Sequence, residues 1–263
     1  MQQADKKSPA ADGTDVPPGL PTWRRTLPDL FAFIIGLSMA YLLKWETHDL
    51  VWSLWLSSLI SGYATLLAAL GAAACISLRV LNVVDAKSAS KPSTVFAGIL
   101  GGLFFLGFFS FHFCGFHAGH SVFLQGFFPL DGVPRDGFGA AFTNPPLLLA
   151  MAFKHLMKPY GLFLIPVLIA EREQIFRPLR TAIRSRRCGD TSPARTDTPA
   201  PPSKRLNPDI FGTAMVRPYR NVVRMHLLIF FFAACHFLKL ESFIVYAVVY
   251  AVYFFPWRIL RTR

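Results

Sequence analysis

Charge is scarce in this sequence: of 263 residues only 16% are Asp, Glu, Lys or Arg, while 53% are hydrophobic. A soluble domain carries about 25% charged residues, so a soluble reading fails at the outset. Cysteine is equally thin. Cys75, Cys114, Cys188 and Cys235 stand far apart with no CxxC spacing, which supports neither a disulfide framework nor a thiolate zinc site. There is no Walker loop, GxSxG elbow, HExxH helix or paired-acid constellation, and the mechanisms of soluble enzymes lose their support with them. No internal repeat organises the chain.

What the sequence has instead is long apolar runs, the mark of a multi-pass membrane protein. They cover Leu27–Leu43, Val51–Leu78, Val95–Phe128, Leu147–Ala170, Val222–Leu238 and Ser242–Phe255. The expected fold is therefore an all-α integral membrane protein of about six transmembrane helices. Residues 1–25 read as a disordered cytoplasmic tail, poor in apolar surface. Residues 26–170 form a four-helix membrane part with a His-rich third helix. Residues 171–221 are a basic cytoplasmic loop, with an amphipathic helix along the membrane surface (Ile175, Phe176, Leu179, Ile183) and a Pro-rich linker. Residues 222–263 give a two-helix part and a short basic tail. Arg24 and Arg25 before the first run resemble a signal segment, but the long polar tail and near-spanning run favour an uncleaved helix.

The formal charge of +12 would suggest nucleic acid in a soluble chain. Here basic loops orienting the spans explain it better, so the expected partner is a lipid bilayer and no nucleic acid. Alternating the spans puts 22 Lys and Arg on one side and only Lys44, Arg135 and Lys239 on the other. That predicts both termini in the cytoplasm and a bacterial inner membrane location. Trp45, Trp52 and Trp55 read as an interfacial aromatic belt.

The stretch Phe104–Phe128, FFLGFFSFHFCGFHAGHSVFLQGFF, holds His112, His117 and His120 among Phe and Gly. On one helix they would point to about 0°, about 140° and about 80°, sharing one side. Intramembrane imidazoles are costly and mark a site by default, whereas the plain alternative is hydrogen bonding between helices. As one helix, Val95–Phe128 would reach roughly 51 Å against a hydrocarbon core of about 30 Å. It must either tilt and protrude or break near Gly115 and Gly119. The topology places His48, His117, His120 and His236 near the non-cytoplasmic face, with His112 and His155 deeper. His226 starts the fifth run and is expected too far away to join them.

Two kinds of ligand chemistry suit these residues. His112, His120 and His155 would offer nitrogens to a transition metal, or two histidines on facing helices would hold a haem. Lys154 and Lys158 flank His155 one turn apart, giving a proton-relay or anion site together with His112, His117 and His120; otherwise they snorkel to the interface. Tyr219, Arg220 and Arg224 before the fifth run are lipid-contact candidates, since juxtamembrane basic groups attract anionic lipid.

FHFCGFHAGHSVFLQGFF resembles the His-aromatic-Gly-Gly-Phe and His-Gly-hydrophobic-Phe motifs of an uncharacterised bacterial membrane family, domain of unknown function 6498. His112, Gly115, Phe116, His120 and Phe123 fall on those motif positions; His117 does not. Met215, Pro218, Tyr219, Arg220 and His226 resemble a second motif, and His155 a histidine of the fourth span. The family's early Trp-Glu-Asn signature is reduced to an echo at Trp52 and Trp55. The resemblance implies a membrane fold and a histidine site, with His117 expected to be the least sensitive of the three, and it brings no activity. Three readings stay open: a non-enzymatic protein handling a small solute, ion or lipid; a membrane-embedded metal- or haem-binding enzyme or redox subunit; and an accessory protein docking partners through the basic loop.

Overall fold

Apolar runs and prolines set where the helices begin, bend and stop. The computed structural model describes residues 22–83, 91–134, 136–189, 223, 226–240 and 242–255. Among these, every regular element is helical: α1 (Thr22–Leu42), α2 (Thr47–Val83), α3 (Lys91–Phe127), α4 (Pro145–Met151), α5 (Met157–Tyr160), α6 (Leu164–Gly189), α7 (His226–Phe237) and α8 (Phe243–Phe254). The expected N-terminal tail, the Pro-rich linker, Tyr219, Arg220, Arg224 and the C-terminal tail lie outside the described residues, apart from the tail's last four, which open α1.

Among the described residues, three helices are long and apolar enough to cross a membrane: Thr47–Leu78, Ser93–Phe127 and Pro145–Ile183. Three others, Thr26–Leu42, His226–Phe237 and Phe243–Val252, are apolar but shorter. Of the six expected spans, three are thus of full length and three are shorter over the described residues. The apolar run of α1 ends at a sharp stop. Lys44 takes a left-handed backbone (φ 55), and the Trp45 N–H donates to the Ala40 carbonyl, a Schellman closure. The α7–α8 turn repeats it: Lys239 has φ 54 and the Leu240 N–H donates to the Cys235 carbonyl.

The third run does not break. Helix α3 is continuous over 37 residues, and Gly115 and Gly119 sit inside it. The interruption falls in the next run. Between α4 and α6 the chain widens into a π turn at Ala152–Leu156 and tightens into a 3-10 turn at Gly161–Phe163. Pro159 and Pro166 explain both places, because each lacks the N–H that would bond the carbonyl four residues earlier, at His155 and Leu162. Past Pro166, α6 runs on to Gly189. The segment read as a separate surface helix is its second half, packed on α2 and α1, with Ile175 buried and Phe176 and Ile183 exposed.

Helix α2 is the centre of the molecule and touches α3, α5, α6 and α8. The tryptophans form core, not an interfacial belt: Trp52 and Trp55 of α2 are fully buried, and Trp45 in the link before it nearly so. The reason is the link after α3, which folds back over α2 and stacks Phe138 on Trp52 with ring centroids 5.6 Å apart. Buried indole N–H groups need acceptors. Trp52 Nε1 donates to the Phe128 carbonyl at 2.8 Å and Trp55 Nε1 to the His117 carbonyl at 3.0 Å, tying α2 to the end of α3.

Candidate functional site

The stripe of α3 opposite its α2 face reads Phe111, His112, Gly115, Phe116, Gly119, His120, Phe123, the spacing of one side of a helix. Against it lies a stripe of α7 at the same spacing, His226, Ile229 and Phe230. Together with Phe142 from the link they enclose a cavity of about 390 Å³. Gly115 and Gly119 make the room, since at these two positions the helix carries no side chain. A Cβ on Gly115 would stand 3.7 Å from the Phe142 carbonyl oxygen, and one on Gly119 3.6 Å from the Phe142 ring, so Phe142 closes that flank. The cavity wall is largely aromatic, and among its described lining residues the three imidazoles are the polar side chains, with no carboxylate or cation.

The imidazoles have different standing. His112 is exposed, with Phe108 stacked on it at 5.5 Å and Phe116 edge-on at 5.5 Å. His120 is only 5% exposed. Its Nε2 lies 2.6 Å from His226 Nδ1, with ring centroids 4.4 Å apart at 71°. One proton occupies that contact, so one imidazole donates and the other accepts. His120 Nδ1 is buried with no hydrogen-bond partner among the described residues.

This pairing corrects the expectation that His226 lies too far away. Counting from opposite faces gave that answer, whereas α3 and α7 end level with each other: the His236 ring lies against Phe127 and Phe128. Measured down from that common end, His120 is roughly 10 Å deep and His226 roughly 15 Å at 1.5 Å per residue. Two side chains span the difference. A sign was present in the sequence, because His226, Ile229 and Phe230 already share one helical face.

His117 belongs elsewhere. It faces α2, fully buried, where its Nδ1–H donates to the Phe113 carbonyl at 2.9 Å and its Nε2 accepts from the Ser58 hydroxyl at 3.2 Å. Both nitrogens are satisfied and the Trp55 ring packs edge-on at 5.6 Å, the arrangement of a structural histidine. The expected cluster with Lys154, His155 and Lys158 does not form. Those residues sit in the π turn and α5, which pack on α2, and none of them lines the cavity. Lys154 and Lys158 are exposed and His155 is half-buried. Among the described residues no group of three His, Cys, Asp or Glu is arranged to hold a metal ion, so His112, His120 and His155 are not gathered as ligands. The His120–His226 contact is also too close for two nitrogens to flank one metal at about 2.0–2.1 Å each without the rings separating.

Two polar contacts were not anticipated. Asp49 accepts from the Glu46 N–H at 3.0 Å, capping α2, and from the Tyr160 hydroxyl at 3.0 Å, which ties α5 to that cap. Arg172 of α6 forms an ion pair with Asp29 of α1. The Tyr160–Asp49 and Arg172–Asp29 contacts join elements distant in sequence and read as structural ties; of the two acids only Asp29 stands alone within an apolar run, where the sequence marks it.

Neither a curated protein nor a solved structure matches the chain. A family match covers residues 21–170, which takes in His112, His117, His120 and His155 and stops before α7. The chain belongs to the family described as Family of unknown function (DUF6498).

Proposed function

We propose that this chain is a multi-pass membrane protein that binds a small, uncharged, lipid-soluble ligand in the groove between α3 and α7. The observation that carries the reading is the His120–His226 pair lining a phenylalanine-walled cavity. A groove filled only by acyl chains has no use for two imidazoles, whose cost in hydrocarbon must be met by a partner. The groove rim, Phe111, Phe116 and Phe230, is exposed, which suits entry from the bilayer.

The same reading extends the three long helices to six spans by counting the shorter apolar helices. The 22-to-3 partition of basic residues supports cytoplasmic termini, and by the positive-inside rule an inner-membrane location. Native mass spectrometry of the protein released from lipid nanodiscs tests the ligand. A bound mass is expected on the wild type and is expected to be lost from Gly119→Leu, whose side chain fills the groove. An equal adduct on both proteins would overturn the site.

A further inference from the structure

The groove's ligand can be narrowed by its walls, its depth and the polarity of its hydrogen bond. The narrowing rests on the groove reading given above. The walls are phenyl rings, Phe111, Phe116, Phe123 and Phe230 among them, and aromatic faces favour a planar ring set against them.

Depth removes the commonest lipids. With the shared end of α3 and α7 at the membrane surface, the imidazole pair lies roughly 10–15 Å inside, in a hydrocarbon core about 30 Å thick. A phospholipid could bring its ester carbonyl to that depth only by dragging its charged headgroup into the hydrocarbon. An uncharged head meets no such barrier.

The hydrogen bond has a direction. A buried N–H without an acceptor is rarer in folded proteins than an acceptor without a donor. Because His120 Nδ1 is the buried atom without a partner, the His120 proton belongs on Nε2, where it donates to His226 Nδ1 across the 2.6 Å contact. That leaves the proton of a neutral His226 on Nε2. His226 is exposed and lines the cavity, so the pair presents a donor to the groove. The matching ligand group is an acceptor.

We propose that the groove binds the head group of a lipid-soluble quinone, with the uncharged ring among the phenylalanines and a ring carbonyl accepting from His226. Planar ring, carbonyl acceptor and absence of charge are each called for by a separate feature of the site: its walls, the polarity of its hydrogen bond and its depth. A prenyl alcohol shares the tail and the lack of charge but has neither the ring nor the carbonyl, which makes it the discriminating competitor.

The test is photolabelling in nanodiscs with an azido-quinone carrying an apolar tail, followed by peptide mapping. Label is expected on α3 and α7 peptides, displaced by decylubiquinone and not by farnesol. His226→Phe keeps the bulk and removes the donor, so half-displacement should need about tenfold more decylubiquinone, the worth of one hydrogen bond. Gly119→Leu should abolish labelling; if it fails to fold, His226→Phe at an exposed position carries the test alone. Label scattered over all helices, displacement by farnesol as readily as by the quinone, or unchanged affinity in His226→Phe overturns the quinone proposal. If a native adduct persists on the wild type in any of those cases, the groove reading stands with another ligand. If there is neither adduct nor specific label, both fall.

Discussion

Gly62 of α2 lies against the tip of the Phe113 ring of α3, and a Cβ added there would fall well inside contact distance of its Cζ. Phe113 has nowhere to go. It is fully buried, stacked on Phe109 with centroids 4.8 Å apart and pressed against the His117 ring at 4.3 Å. Small residues on α2 let α3 approach closely, and Gly62 is the tightest of those points.

Gly62→Ala is therefore expected to destabilise by about 1–3 kcal/mol, the usual cost of overpacking a core. Gly119→Ala is the control, since a Cβ there meets Phe142 only at ordinary contact distance. Thermal unfolding in detergent should show a lowered midpoint for the first variant and none for the second. Equal midpoints would mean that α2 and α3 can slide apart.

His117 is expected to matter for stability more than His112, although only His112 sits on the family motif. Its two satisfied nitrogens and complete burial mean that His117→Ala loses hydrogen bonds and leaves a cavity beside Trp55. That costs about 2–4 kcal/mol, whereas His112→Ala at an exposed position costs about 0.5 kcal/mol or less. Unfolding midpoints measured side by side decide it, and a reversed order would place His117 outside the core.

How much of this was legible in the sequence depends on what each residue needs in order to be read. The helices were visible because an apolar run and its helix coincide along one dimension, as at Val51–Leu78 within α2 and Val95–Phe128 with α3. The glycines and histidines of α3 stood out for the same reason. Trp52 and Trp55 were misread because a tryptophan at a membrane boundary and one beneath a folded-back loop look alike until Phe138 is placed. His226 was assigned to the wrong depth because its height depends on where α7 ends against α3. That relation is set by packing of the His236 ring on Phe127 and Phe128, and no local pattern encodes it.

The Asp29–Arg172 ion pair should behave as a coupled unit. Both side chains are partly exposed, which limits the attraction, so the expected coupling is about 0.5–1 kcal/mol. Arg172 also donates to the Ile169 carbonyl, so Arg172→Ala should cost more than Asp29→Ala. A double-mutant cycle by chemical unfolding measures the coupling, and strict additivity would show that the two charges act separately.

The His120–His226 pair gives the sharpest test of the site's construction, independent of any ligand. Here His120 is the buried partner and His226 the exposed one, so removing His226 costs more than replacing both by apolar groups, because the surviving His120 keeps its desolvation penalty. His120 already carries that penalty at Nδ1, which is buried without a partner. In His226→Leu its second nitrogen would lose its partner as well, so a loss of about 1–3 kcal/mol is expected. The double variant His120→Phe/His226→Leu removes the orphaned nitrogens altogether. Its ring matches the phenylalanines already around the groove, so it should be at least as stable as His226→Leu alone. Unfolding of the two variants and the wild type in the same detergent checks the order. If the double variant is clearly less stable than His226→Leu alone, the imidazoles do not act as a pair, and the 2.6 Å contact contributes nothing to holding α7 against α3.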